Sequence, residues 1–220
     1  MARVVVTGAN RGIGLELVRG LTGRGDAVIA ACRQSSAELD AVGAEIHEGV
    51  DVAVGESVEA FAAGVSAGPL DILINNAGVL TSESIDDLDW GRIRRQFEAN
   101  SLGPLRVTAA LLPRLKKGSK VAIISSRVGS LQDNSSGGMY GYRMSKAAVN
   151  MAGVNLAHDL KPRGIAVVIL HPGYVRTGMT GGQGNAGPAE AARGLIARID
   201  SLRLEDTGSF WHAEGYPLPW

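Results

Sequence analysis

The chain has 220 residues, 45% of them apolar, and its 22 Lys+Arg balance 22 Asp+Glu, so it fits one domain over residues 1–220 with no charge excess to draw nucleic acid or an anionic membrane. The single cysteine, Cys32, excludes an intrachain disulfide and a multi-cysteine zinc site. No apolar run approaches the roughly 18 residues that a membrane helix needs, and Met1–Gly8 runs into a glycine turn too early for a signal peptide, so a cytoplasmic protein is expected.

In chain order, short β-branched runs alternate with helix-like stretches, the pattern of a parallel sheet with helices on both faces. Strands are predicted at Arg3–Thr7, Ala27–Cys32, Ala44–Val50, Asp71–Asn75, Lys120–Ser125 and Gly164–Leu170, with a seventh near Ser209–His212. Most are apolar without alternation, as strands covered on both faces should be. Helices are predicted at about 11–23, 55–66, 85–115, 142–161 and 188–202, the last opening on Pro188, and a short one lies in the crossover Ser35–Val42. The fold class expected is α/β: a doubly wound, Rossmann-type, seven-stranded parallel sheet. Gln132–Gly138 and Gly178–Gly187, rich in Gly, Ser and Asn, read as loops at the rim of a site. With five glycines after Thr177, the second is expected to be a mobile lid.

The first strand runs into Gly8-Ala9-Asn10-Arg11-Gly12-Ile13-Gly14 and then a helix. Such a turn needs glycines so that the backbone can come close to a diphosphate, and the helix offers free N–H groups and a positive dipole end to that anion. A glycine triplet is weak evidence among 30 glycines, but its place after the first strand gives it weight. The second strand ends in Ala30-Ala31-Cys32-Arg33 with no acidic residue. An Asp or Glu there would bind the ribose 2′-OH of NAD, whereas Arg33, with Arg11 from the turn, suits the 2′-phosphate of NADP. NADP(H) is therefore expected in preference to NAD(H).

Tyr142 and Lys146 stand four residues apart at the start of a helical stretch, so both reach one site. A phenol has an ordinary pKa near 10, and a nearby ammonium favours its ionised form, which is what a tyrosine acid/base requires. His47, His158, His171 and His212 are scattered without ligand spacing, so no metal site is expected. Cys32 reads as packing beside an adenosine, and Trp90, Trp211 and Trp220 as packing anchors.

These motifs, with Asp51-Val52, Asn75-Asn76-Ala77-Gly78, Asn100, Ser125-Ser126 and Pro172-Gly173-Tyr174-Val175-Arg176-Thr177, follow the order found in the short-chain dehydrogenase/reductase family, which the chain resembles over nearly its whole length. Ser-Arg-Val-Gly-Ser, Tyr-Gly-Tyr-Arg-Met-Ser-Lys and the ending Gly-Tyr-Pro-Leu-Pro-Trp resemble the C-factor and sniffer-type carbonyl reductases. The resemblance implies reduction of a small-molecule ketone or aldehyde, or the reverse oxidation of an alcohol. Tyr142 would be the general acid, Lys146 would tune it and bind the nicotinamide ribose, and Ser126 would hold the substrate oxygen. Asn100 would kink its helix and tie a water to Lys146. Gly8, Asn10, Arg11, Gly12, Ile13, Gly14, Arg33, Asp51, Val52, Asn76, Ala77, Gly78, Pro172, Gly173, Val175 and Thr177 would line the cofactor cleft, Asp51 and Val52 meeting the adenine, and Val175 and Thr177 the carboxamide. Ser125, or Ser130 if its loop folds back, competes with Ser126, because Leu131–Met139 lengthens the interval to Tyr142. The family also implies a homodimer through the 85–115 and 142–161 helices. Two further readings stay open: an epimerase or dehydratase on the same scaffold, and a non-catalytic dinucleotide-responsive binding or signalling protein.

Overall fold

The computed structural model describes residues 1–220. Its seven strands are β1 (Arg3–Thr7), β2 (Ala27–Ala31), β3 (Glu45–His47), β4 (Leu70–Asn75), β5 (Leu115–Ile124), β6 (Ala166–His171) and β7 (Ser209–His212). They form one sheet in the order β3-β2-β1-β4-β5-β6-β7, and every pairing is parallel. The strand order reverses between β1 and β4, the switch point where open α/β sheets hold ligands beyond the strand C-termini.

The helices are α1 (Gly12–Gly23), α2 (Ala37–Asp40), α3 (Gly55–Gly64), α4 (Trp90–Phe97), α5 (Gly103–Leu111), α6 (Tyr140–Leu160) and α7 (Pro188–Ser201). Period-two alternation within the strands separates two apolar layers. Val4, Val6, Ile72, Ile74, Ala122, Ile124, Val168 and Leu170 face α1 and α7. Val5, Leu73, Val121, Ile123 and Val167 pack with α3, α5 and α6 through Phe61, Val107, Leu111, Val149 and Leu160. Both layers are dry, which explains why the central strands carry no polar alternation.

Three elements depart clearly from expectation. The stretch 85–115 is not one helix. It begins at Trp90 behind an Asp89 cap, passes through a π turn at Glu98–Leu102, and resumes as α5. Pro104 has no N–H to return to the Asn100 carbonyl, so the helical ladder is interrupted at that residue. The third strand shrinks to three residues, whereas β5 starts five residues early, its Leu115 pairing with Leu70 across a register shift. No helix is long and apolar enough to cross a membrane.

Candidate active site

β1, β4, β5 and β6 end at Thr7, Asn75, Ile124 and His171, and the candidate residues lie at or just past that edge. On the β1 side, Gly8 and Gly12 adopt left-handed backbone (φ 66° and 55°). A Cβ on Gly14 would lie 2.1 Å from the Gly8 carbonyl oxygen and 2.6 Å from the Asn76 amide nitrogen. Asn76 Nδ2 donates to the carbonyls of Thr7 (3.0 Å) and Gly8 (3.2 Å), while Thr7 Oγ1 accepts from the N–H groups of Asn76 (3.0 Å) and Ala77 (3.1 Å). Thr7, given no role beyond ending the first strand in the sequence argument, thus joins the glycine turn to the loop after β4. Its only signal was its place before the first glycine.

Helix α1 follows Arg11 at its N-cap, with no side-chain cap and no acidic residue in its first turn, leaving its N–H groups for an anion. Ser36 Oγ donates to the Asn10 carbonyl (2.9 Å), which brings the loop carrying Arg33 against the turn. Arg11 and Arg33 are exposed and take part in none of the chain's ion pairs. Asp51 keeps one carboxylate oxygen on the Ala53 N–H (3.0 Å), the turn cap its position allows, and Val52 beside it is buried. Cys32 is buried in the β1–β2 layer. On the far rim, Thr177 meets the position that a Gly12 Cβ would take, at 3.4 Å, and Val175 is buried. A tight glycine cradle, an uncapped helix and two unpaired guanidiniums fit a phosphorylated dinucleotide.

On the β5 side, Tyr142 and Lys146 occupy successive turns of α6, both buried. Lys146 Nζ donates to the Ile124 carbonyl (2.9 Å) and lies 5.7 Å from the Tyr142 ring centroid. Ser126 lies beside the Tyr142 phenol, and its Oγ accepts from the Val128 N–H (3.4 Å). Ser125 instead donates to Asn150 Oδ1 (2.5 Å), and Ser130 Oγ accepts from the Asp133 N–H (3.1 Å). Of the three serines, only Ser126 stands at the phenol. Asn150, two turns beyond Tyr142 on the same helix face, was not singled out, although that spacing could have flagged it.

Burial pushes the Tyr142 phenol up to about 12, with the neighbouring Ser126 hydroxyl pulling the other way, and pushes the Lys146 ammonium down to about 8. The expected lowering of the phenol by the lysine is not what dominates: the ammonium is committed to the Ile124 carbonyl, and desolvation wins. Asn100 sits in the π turn. Its Oδ1 accepts from the Val79 N–H (2.8 Å), and its Nδ2 donates to the Val79 carbonyl (2.8 Å) and Ser145 Oγ (3.0 Å). Its side chain therefore pins the β4–α4 loop to α6.

Other expectations change too. The glycine-rich segment after Thr177 is stitched: Gly182 N–H donates to Thr177 O (2.8 Å), Asn185 N–H to Tyr174 O (2.7 Å) and Arg176 N–H to Ala186 O (3.0 Å). Such bonding makes a defined loop, not a free lid. His171 and His212 come within 5.0 Å, edge to face, because β6 and β7 are neighbours. Burial first, then the charges of His212, Arg127 and Lys146, hold the His171 imidazole down to about 3. No group of three metal-ligating side chains forms. Trp90 is 61% exposed and anchors nothing, while Trp220 stacks on Phe210 at 5.4 Å.

The sequence model of the family described as short chain dehydrogenase matches residues 2–186. A Rhodococcus 1-hydroxy-2-glutathionyl-2-methyl-3-butene dehydrogenase is 48% identical over the whole of both chains. The C-signal protein of Myxococcus xanthus is 46% identical over 74% of this chain and all of its own. Among solved structures, the NADPH-bound carbonyl reductase from chicken fatty liver superposes with a TM-score of 0.92 at 30% identity, covering 100% of this chain and 99% of the other. Carbonyl reductase Sniffer of D. melanogaster gives 0.91 at 29%, covering both chains completely.

Two outcomes are expected. Gly14→Ala should lower stability by about 1–3 kcal/mol and abolish dinucleotide binding, read by urea unfolding and calorimetry. Unchanged values of both would refute the cradle. Lys146 titrates near 8 when folded and at 10.5 ordinarily, so between those values the unfolded chain holds more protons and stability should rise with pH. From pH 7.5 to 10 the wild type should gain about 1–3 kcal/mol relative to Lys146→Met. A difference that stays flat across that range contradicts the burial.

Proposed function

We propose that this chain, which belongs to the short-chain dehydrogenase/reductase family and is an oxidoreductase, reduces a ketone or aldehyde with NADPH while Tyr142 supplies the proton. The observation that carries the reading is the buried cluster of Tyr142, Ser126 and Lys146 at the end of β5, on the same sheet edge as the glycine cradle. The cofactor, when bound, supplies hydride to the carbonyl carbon.

The residues divide the remaining work. Ser126 and Tyr142, side by side, present two hydroxyls to the carbonyl oxygen and stabilise negative charge as it develops there. A phenol raised by burial keeps its proton at neutral pH, so Tyr142 is in the acid form that reduction needs. As that proton moves to the alkoxide, the phenolate left behind is favoured by Coulomb attraction to the Lys146 ammonium, charged below about pH 8. Asn100 acts through its side chain as a pin on the β4–α4 loop, and the site is completed by Val175 and Thr177 on the opposite rim. Arg11 and Arg33 would take the adenosine 2′-phosphate, with Asp51 and Val52 beside the adenine. Reduction of a carbonyl is thus favoured over epimerisation or dehydration.

The name of the Rhodococcus relative describes dehydrogenation of a hydroxy compound bearing a glutathionyl group, and alcohols of that kind belong in the substrate panel. The C-signal relative keeps the signalling reading in play, and activity decides between them.

Tyr142→Phe should keep NADPH affinity within a few-fold and lose about 10²–10⁴ of turnover. Equal turnover in the two proteins refutes the assignment, and tight NADPH binding with no oxidation across a carbonyl panel favours the sensor. Arg33→Asp should weaken NADPH about 10- to 100-fold and leave NADH nearly unchanged in parallel titrations. Equal losses for both cofactors would contradict a role in reading the 2′-phosphate.

A further inference from the structure

Glu83 lies in the loop between β4 and α4 and is 3% exposed, yet it takes part in none of the chain's ion pairs. A buried carboxylate without a cation is costly unless donors surround it. Here they do. Oε1 accepts from Thr81 Oγ1 (2.5 Å) and Gln96 Nε2 (3.2 Å), and Oε2 accepts from Gln96 Nε2 (3.3 Å) and the Gly141 N–H (3.2 Å). Gln96 is itself fully buried, and its carbonyl oxygen accepts from the Thr81 N–H (3.1 Å). Gly141 is the second residue of α6, so the carboxylate meets one of the free N–H groups at the positive end of the catalytic helix.

The same residue grips the chain just before the helix. The Glu83 carbonyl accepts from the Met139 N–H (2.9 Å), and Met139 is the only non-glycine residue with left-handed backbone (φ 49°, ψ 45°). That conformation costs a non-glycine residue roughly 1–2 kcal/mol and persists only where its surroundings impose it. The fit is close: a Cβ on Gly141 would lie 2.2 Å from Gln96 Nε2. Tyr142 follows directly.

From this we infer that Glu83 is the positioning residue that seats the first turn of α6, and with it the Tyr142 hydroxyl, against Ser126. It touches no reacting atom and works through the backbone of residues 139 and 141. The inference rests on the proposed carbonyl reduction only for its effect on rate.

Glu83→Gln tests it, because an amide at 83 sets two N–H₂ groups against each other, its own and that of Gln96. Turnover of the carbonyl is expected to fall about 10- to 100-fold while the Kd for NADPH stays within about threefold. Amide exchange should quicken at residues 140–144 and stay unchanged in α1. The exchanged pair Glu83→Gln/Gln96→Glu restores one charge and all but one of the donor–acceptor matches, the 3.3 Å contact becoming oxygen against oxygen, and should recover part of the lost rate. Full turnover in folded Glu83→Gln, exchange that quickens evenly throughout the chain, or no recovery in the exchanged pair would overturn the inference. If the wild type reduces no carbonyl at all, the functional reading fails on its own, and the exchange pattern still decides the role of Glu83.

Discussion

The site depends on one contact: the ammonium of Lys146, out of water, against the last carbonyl of β5 at 2.9 Å. A single neutral acceptor does not compensate the desolvation of a cation, which is why the lysine holds its proton weakly. The arrangement survives because α6 is pressed onto the sheet by Val149, Ala157 and Leu160 against Val121, Ile123 and Val167. Apolar burial along about three turns of helix outweighs one unfavourable charge. With Lys146 fixed there, Tyr142 one turn earlier has nowhere to lie except beyond the strand end, beside Ser126.

Apolar contact sets which face of α6 meets the sheet, but it is poorly directional and permits sliding. The axial position comes from polar pins on the side facing α4. Asn100 Nδ2 reaches Ser145 Oγ, which donates to the Tyr142 carbonyl (2.8 Å), and Ser101 Oγ donates to the Ser145 carbonyl (2.7 Å). These pins depend on the interrupted helix: the π turn places Asn100 and Ser101, adjacent in sequence, both toward α6. A regular helix would turn successive residues about 100° apart, and two neighbours would not share a partner so readily. The kink is thus part of how the site is held.

Much of this was legible in the residues. β1 and β7 match their expected spans residue for residue, because strands dry on both faces, or bounded by turn residues, carry a strong local signal. The glycine turn, Tyr142 and Lys146 could be placed on their elements from spacing alone. What escaped was non-local. The resemblance implied a kink at Asn100, but its form, a π turn whose Asn100 bonds Val79 and Ser145, rests on partners that periodicity does not report. Composition suggested freedom after Thr177, but glycines also suit a loop that folds back to give its N–H groups to Tyr174 and Thr177. His171 and His212 are far apart in the chain and meet only because β7 pairs with β6.

The two halves of the site are built on different principles, and they should tolerate change differently. The dinucleotide side is mostly backbone: glycine turns, an uncapped helix and N–H groups bridged by Thr7, where the requirement is the absence of side chains. Such a surface accepts any ligand with the right anion and shape, and under the proposed reading the exposed arginines at its edge discriminate one cofactor from another. The catalytic side consists of buried polar side chains, each spoken for by a named partner: Ser125 by Asn150, Asn100 by Val79 and Ser145, Lys146 by Ile124. Buried networks of this kind fix one arrangement because every alternative leaves a donor or acceptor unmet. Ser126 is held only by a long bond from the Val128 N–H to its Oγ (3.4 Å), so its hydroxyl, beside the phenol of Tyr142, can be turned toward a third oxygen without undoing the rest.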